Sequence, residues 1–344
     1  MQRMTTLACL VVAVCLALTS PMGALGDETI LVNGAGATFP YPIYSKWFDE
    51  YHKAHSRVQI NYQSVGSGAG IRQLISGTVD FGATDGPMSD EQLAQAKTKV
   101  LHFPTVLGAA VPTYNIPGVS AQLNFTPEAL AGIFLGTITK WNDPAITGTN
   151  PGVKPPANEI VVVHRSDGSG TTYIWTDYLS KVSDAWKNKV GKGTSVNWPV
   201  GLGGKGNEGV AGLVKQTPNS IGYVELIYAI QNNLPYGRVR NSSGAFVKAD
   251  LASVSAAAAS VAKSMPDDFR VSITNPPGKA AYPISSFTWL LVPANVQDAS
   301  KKAILKEFLH WMLTEGQKYA EPLAYGRLPH EVVDKELKAI AQIQ

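Results

Sequence analysis

Three short stretches of this chain carry the residue types that hold a small anion. In His164-Arg165-Ser166-Asp167-Gly168-Ser169-Gly170-Thr171-Thr172, an arginine supplies a fixed cation with a planar fork of donors, and a carboxylate stands two residues on. Asp167 at that spacing can hold the Arg165 fork in place and moderate its charge. Gly34-Ala35-Gly36-Ala37-Thr38-Phe39-Pro40 places Thr38 and the Phe39 N–H in a second small-residue turn, and Ser64 to Gly70 places Ser67 in a third. One such turn alone reads as ordinary strand-to-helix packing, because Ser and Thr are common helix caps and Gly is the usual turn residue. Three of them, with Asp85 as an acidic acceptor just before Gly86-Pro87, describe a site for a small oxyanion.

Asp85 is the informative member. At about 4 Å and an effective dielectric near 20, an aspartate facing a fully ionised anion such as sulfate is repelled by ~4 kcal/mol. A buried acceptor left unpaired costs ~1–3 kcal/mol more. Phosphate keeps a proton at neutral pH and can donate it to the same carboxylate. Asp85 is therefore expected to attract one anion and reject the other.

The turns need strands before them and helices after them. Glu159 to Val163 is a continuous apolar, β-branched run of the kind a buried parallel strand requires, and Ile174, Trp175, Tyr178 and Leu179 recur at helical spacing. Ser169 and Thr171 then fall at a helix start, where the first backbone N–H groups have no intrahelical partner. Ile30-Leu31-Val32 leads to a helix marked by Ile43, Trp47 and Tyr51, with Thr38 at or just before its N-terminus. Val58 to Tyr62 alternates as a half-buried strand, and a short helix through Ile71, Leu74 and Ile75 is closed by Gly77. Val79 to Ala83 is a brief strand with Asp85 just beyond its carboxyl end, followed by a helix that starts at Ser89-Asp90-Glu91. Gly201 to Gly206 is a turn before a helix near Val210 to Lys215, without the G-x-x-x-x-G-K-[ST] order of a nucleotide loop. Ser220 to Val224 is another buried strand.

Met1-Gln2-Arg3, the apolar run Leu7 to Leu18 and Ala24-Leu25-Gly26 predict a signal peptide over 1–26, cleaved after Gly26. Both cysteines, Cys9 and Cys15, fall in it, which excludes cysteine catalysis and cysteine–zinc sites from the remainder. Removing Arg3 lowers the formal charge from +3 to +2, and no Lys/Arg run follows, so nucleic acid is not an expected partner. The six histidines show no metal-ligand pattern, no G-x-S-x-G nucleophile motif is present, and neither a metal nor a cofactor is expected.

Residues 27–344 exceed what one hydrophobic core usually serves. The run Phe103 to Tyr114, broken by Pro104, Gly108 and Pro112, reads as a crossover, and Ser286 to Val292 reads as a strand returning after Tyr282-Pro283. Helices are expected from about Ala299 to Thr314 and from His330 to Gln342. Two domains follow: domain I from 27–111 and 282–344, and domain II from 112–281, joined by two hinge strands as a clamshell. A monomer is expected.

With these motifs in order, together with Val79-Asp80-Phe81-Gly82-Ala83-Thr84-Asp85, Gly201 to Asn207 and Ile221-Gly222-Tyr223-Val224, the chain resembles the periplasmic phosphate-binding proteins of bacterial high-affinity phosphate ABC transporters. The resemblance covers essentially the whole chain after residue 26. It implies an α/β fold, the two-domain periplasmic-binding-protein fold of type II, each domain a mixed sheet flanked by helices. It implies that Thr38, Phe39, Ser67, Ser169, Gly170 and Thr171 donate to phosphate, that Arg165 pairs with it, that Asp167 steadies Arg165 and that Asp85 accepts the phosphate proton. It implies a binding protein in the periplasm that is not an enzyme. It also implies as partners inorganic phosphate and the transmembrane permease subunits with their ATPase. Thr84, where relatives often carry Ser, and His164 are small departures at positions given no ligand role. The alternative from another class is a secreted phosphatase on the same scaffold, with Ser169 or Thr171 as nucleophile.

Overall fold

The computed structural model describes residues 29–344; the expected signal peptide, 1–26, lies outside them. The chain opens with β1 (Ile30–Gly36), α1 (Tyr41–Ala54), β2 (Val58–Ser64), α2 (Ser67–Ser76), β3 (Phe81–Thr84) and the short α3 (Asp90–Gln95). β1 pairs in parallel with both β2 and β3. The periodicity of α1 buries Ile43, Tyr44, Trp47, Phe48 and Tyr51, and α2 ends on Gly77 in the left-handed conformation. β3 begins two residues later than the sequence run, where the Asp80 side chain rather than a ladder carbonyl accepts the Asn33 N–H, at 2.8 Å, and pairs with Lys301 at 3.0 Å. α3 starts where expected, and its N-terminus is a capping box of Ser89 and Gln92.

The long β4 (Val100–Asn115) leads into β5 (Asn124–Phe125), α4 (Pro127–Leu135), α5 (Pro144–Thr147), β6 (Val161–Arg165), α6 (Gly170–Val182), α7 (Asp184–Lys189), β7 (Leu202–Gly204), α8 (Gly206–Gln216), β8 (Ser220–Glu225) and α9 (Leu226–Gln231). β6 lies between β7 and β8, parallel to both, which is why its run is apolar on both faces. It starts at Val161 because the Ile160 N–H is drawn to the Thr139 carbonyl at 2.7 Å. The chain closes with β9 (Arg238–Arg240), β10 (Phe246–Val247), α10 (Leu251–Ala259), β11 (Ser285–Pro293), α11 (Ala299–Leu313) and α12 (His330–Ala339), with a 3-10 turn over Ile340–Gln342.

Eight strands form one sheet in the order β2-β1-β3-β11-β4-β8-β6-β7, and β10-β9-β5 form a small second sheet. β4 links the halves of the large sheet: Val100–Ala109 pairs antiparallel with β11, and Ala110–Asn115 pairs antiparallel with β8. The interrupted run read as a crossover is thus a single continuous strand. Beside Pro104, which has no N–H for the ladder, Thr105 is the extra residue of a bulge opposite Thr288 and Trp289. The segment 262–274 touches both halves. Trp289 Nε1 donates to the Phe269 carbonyl at 2.9 Å, while the Ser272 and Thr274 hydroxyls donate to Asp177 on α6 at 2.6 Å each. No helix among the described residues is long and apolar enough to cross a membrane.

One buried group opposes the fold. Glu336 on α12 is fully buried, neither carboxyl oxygen meets a hydrogen-bond partner among the described residues, and burial pushes its carboxyl well above the usual range. An unpaired buried acceptor costs about 1–3 kcal/mol. Glu336→Gln leaves that cost largely in place, whereas Glu336→Leu is expected to raise the thermal midpoint, read by calorimetric melting at pH 7.5.

Candidate oxyanion-binding site

The three turns and Asp85 meet where the two halves of the sheet face each other. From the first half come Thr38, just ahead of α1, Ser67 at the first position of α2, and Asp85 beyond β3. From the second half come Arg165 at the end of β6, then Ser169 and Thr171 at the start of α6. Thr38, Phe39, Ser67, Asp85, Arg165, Ser169 and Thr171 are all buried.

On one side, Ser67, Asp85 and Gly170 are packed against each other. The Asp85 N–H donates to Ser67 Oγ at 3.3 Å, and a Cβ added at Gly170 would collide with Asp85 Oδ2 and Ser67 Oγ. The contact is made across the halves, and so is the bond from the Gly68 N–H to the Gly168 carbonyl at 2.9 Å. The Thr288 hydroxyl donates to Asp85 Oδ1 at 2.8 Å. Burial pushes the Asp85 carboxyl up to about 7, against the Thr288 bond and the Arg165 charge, which pull it down. Oδ2 is the oxygen turned toward Gly170.

Beside it, Arg165 is clamped. Its Nε and Nη2 donate to Asp167 Oδ1 and Oδ2 at 2.8 and 2.6 Å, and its Nη1 reaches Thr171 Oγ1 at 3.4 Å. Burial raises the Asp167 carboxyl, but the bonds and charge of Arg165, with the Gly206 N–H, outweigh it and hold it below its usual range. Ser169 caps α6, its hydroxyl oxygen accepting the Thr172 N–H at 3.0 Å, and its own N–H donates to the Thr194 carbonyl at 2.7 Å. Only the hydroxyl hydrogen of Ser169 is therefore free to donate, while Gly170 and Thr171 keep the unpartnered N–H groups of a helix start.

On the other side, Thr38 is joined to the second half through Asn207 on α8, whose N–H and Nδ2 donate to Thr38 Oγ1 at 3.2 and 2.8 Å. The Thr38 and Phe39 carbonyls accept the hydroxyls of Tyr228 and Tyr325, both at 2.6 Å. These bonds fix the turn that carries Thr38 and the Phe39 N–H. His164 lies elsewhere: its ring stacks on Trp198 with centroids 4.8 Å apart, and its Nδ1 contacts the Arg165 carbonyl oxygen at 3.0 Å. No cluster of three or more His, Cys, Asp or Glu placed for a metal occurs among the described residues.

The structure thus brings together the residues given a ligand role from the sequence, and adds Thr288, Asn207, Tyr228 and Tyr325. Asn207 ended a motif already recognised, although nothing in that motif marked its side chain. The other three approach from β11, α9 and the segment before α12, and carry no local signal.

A family model described as the PBP superfamily domain matches residues 23–315. The phosphate-binding protein PstS of Xylella fastidiosa is 45% identical over 322 residues, covering 93% of this chain and 87% of that protein. The protein of the same name from Pasteurella multocida is 45% identical over 324 residues, covering 94% and 93%. Among solved structures, a putative phosphate ABC transporter substrate-binding protein with bound phosphate from Clostridium perfringens superposes with a TM-score of 0.63 at 18% identity. It covers 87% of this chain and 100% of that one. The mixed sheet with flanking helices is the type II periplasmic-binding-protein fold. With sequence identity of this extent over nearly the full length, the chain belongs to the periplasmic phosphate-binding protein family.

Proposed function

We propose that the protein captures inorganic phosphate between its two halves and delivers it to the permease subunits of an ABC transporter, performing no chemistry itself. The observation that carries this reading is the buried Asp85 carboxyl, set against Ser67 and Gly170 at the start of α6. A site built only for anions would present donors; one acidic acceptor among them suits an anion that still holds a proton. In this reading the Thr38, Ser67, Ser169 and Thr171 hydroxyls and the Phe39, Gly170 and Thr171 N–H groups donate to phosphate. Arg165 neutralises it, Asp167 orients Arg165, and Asp85 accepts its proton.

The halves are residues 27–111 with 282–344, and 112–281, moving about β4 and the return into β11. Exported behind its signal peptide, the protein works outside the cytoplasmic membrane, in the periplasm. The relatives named as phosphate-binding proteins support the ligand, and the neighbour named as a transporter component supports the partner. The cap bond on Ser169 and the stacking of His164 on Trp198 leave that serine without a base from the nearest histidine, which favours binding over ester hydrolysis.

Calorimetric titration of the phosphate-stripped protein with phosphate and then sulfate tests this. Tight phosphate binding with weak sulfate binding at pH 8 is expected; no binding of either anion overturns the oxyanion reading.

A further inference from the structure

We infer that Asn207 is a positioning residue that turns the Thr38 and Thr171 hydroxyls into obligatory donors toward the bound anion; this rests on the phosphate reading above. The amide is fully committed. Asn207 Oδ1 accepts the Glu225 N–H at 2.9 Å, which fixes the orientation of the amide and directs Nδ2 the other way. The two hydrogens on Nδ2 then go to two hydroxyls on opposite halves, Thr38 Oγ1 at 2.8 Å and Thr171 Oγ1 at 3.2 Å. Asn207, Thr38 and Thr171 are all buried.

A threonine hydroxyl has two acceptor lone pairs and one hydrogen. Thr38 Oγ1 accepts from both Asn207 N and Nδ2, so its lone pairs are filled and its hydrogen must point elsewhere. Thr171 Oγ1 is in the same condition, accepting from Asn207 Nδ2 and from Arg165 Nη1. Without Asn207, each hydroxyl could rotate and present a lone pair to the anion, which is repulsive. Asn207 also ties Thr38 of the first half to Thr171 of the second, so the Thr38 hydroxyl is aligned only when the halves meet.

The test is phosphate titration at pH 8 of wild type, Asn207→Ala and the isosteric Asn207→Asp, each also in a Thr38→Val/Thr171→Val background. Phosphate binding by wild type checks the underlying reading separately. With two oriented donors released, Asn207→Ala is expected to weaken phosphate binding by about tenfold to a hundredfold, and Asn207→Asp by at least as much, since a carboxylate accepts from the hydroxyls. In the valine background, where there is no hydroxyl to orient, Asn207→Ala is expected to change affinity by about twofold at most. Asn207→Asp keeps its charge penalty in both backgrounds but loses the remainder in the second. Equal losses from Asn207→Ala in both backgrounds, or wild-type affinity for either variant, would overturn the inference, and melting curves identify any variant that does not fold.

Discussion

Asp85→Asn is expected to narrow the preference for phosphate over sulfate at pH 8.5 by about thirtyfold, because sulfate escapes the charge repulsion in wild type only by protonating the Asp85 carboxyl, which about 1.5 pH units above its value of about 7 costs ~2 kcal/mol. Phosphate itself should weaken less, because the asparagine carbonyl still accepts its proton, now without a full charge. The carboxyl sits near 7 because burial raises it more than Thr288 and Arg165 lower it. Sulfate needs a proton on that carboxyl, so above this value wild-type sulfate affinity should fall by about tenfold per pH unit, while the Asp85→Asn variant stays flat. Phosphate brings its own proton and should be far less sensitive. Parallel titrations between pH 6 and 9 check the slopes; a pH-independent sulfate affinity in wild type would sink the assignment of Asp85 as the discriminating group.

The same carboxyl has a cost in stability. Its folded value of about 7 exceeds its ordinary 3.8, so its contribution is fully present below the unfolded value and is lost as pH rises through the folded one, a change of about 4 kcal/mol. Asp85→Asn should therefore melt higher than wild type at pH 8 and show little gain at pH 4.

Gly170→Ala is expected to abolish tight phosphate binding while leaving the protein folded. Gly170 is the first residue of α6, where alanine is the better helix former by up to about 1 kcal/mol, so the helix itself loses nothing. The added methyl, however, points into Asp85 Oδ2, Asp85 Cβ and Ser67 Oγ on the opposite half. The serine hydroxyl can rotate away; the Asp85 Cβ cannot move without shifting the end of β3. The methyl acts as a wedge, and every donor at the start of α6 is held back from the anion. A loss of about a hundredfold or more follows from misplacing several hydrogen bonds at once. Titration measures the loss, and small-angle scattering with and without phosphate should show compaction in wild type only. Wild-type affinity in the variant would mean that this contact is not part of the bound state.

Much of this was legible in the sequence because the site is built from local motifs. The strand before Arg165, the small-residue turns and the hydroxyls at helix starts are each specified within about ten residues, by periodicity and turn chemistry. β4 was legible only in part: Pro104, Gly108 and Pro112 break its apolar run, and it is held as one strand by partners far along the chain, β11 and β8. The short strands β9 and β10 escaped for a similar reason, since pairs of two or three residues gain their stability from distant neighbours. Thr288 and Asn207 reach the site across 203 and 169 residues of separation from Asp85 and Thr38, and no spacing rule operates over such distances.

Because β4 belongs to both halves of the sheet at once, neither half can be stripped of its centre alone. Losing the β11 ladder frees the same strand that holds β8, so the protein is bound to melt as one cooperative unit. An anion held between the halves then protects the whole chain, including helices that never approach it.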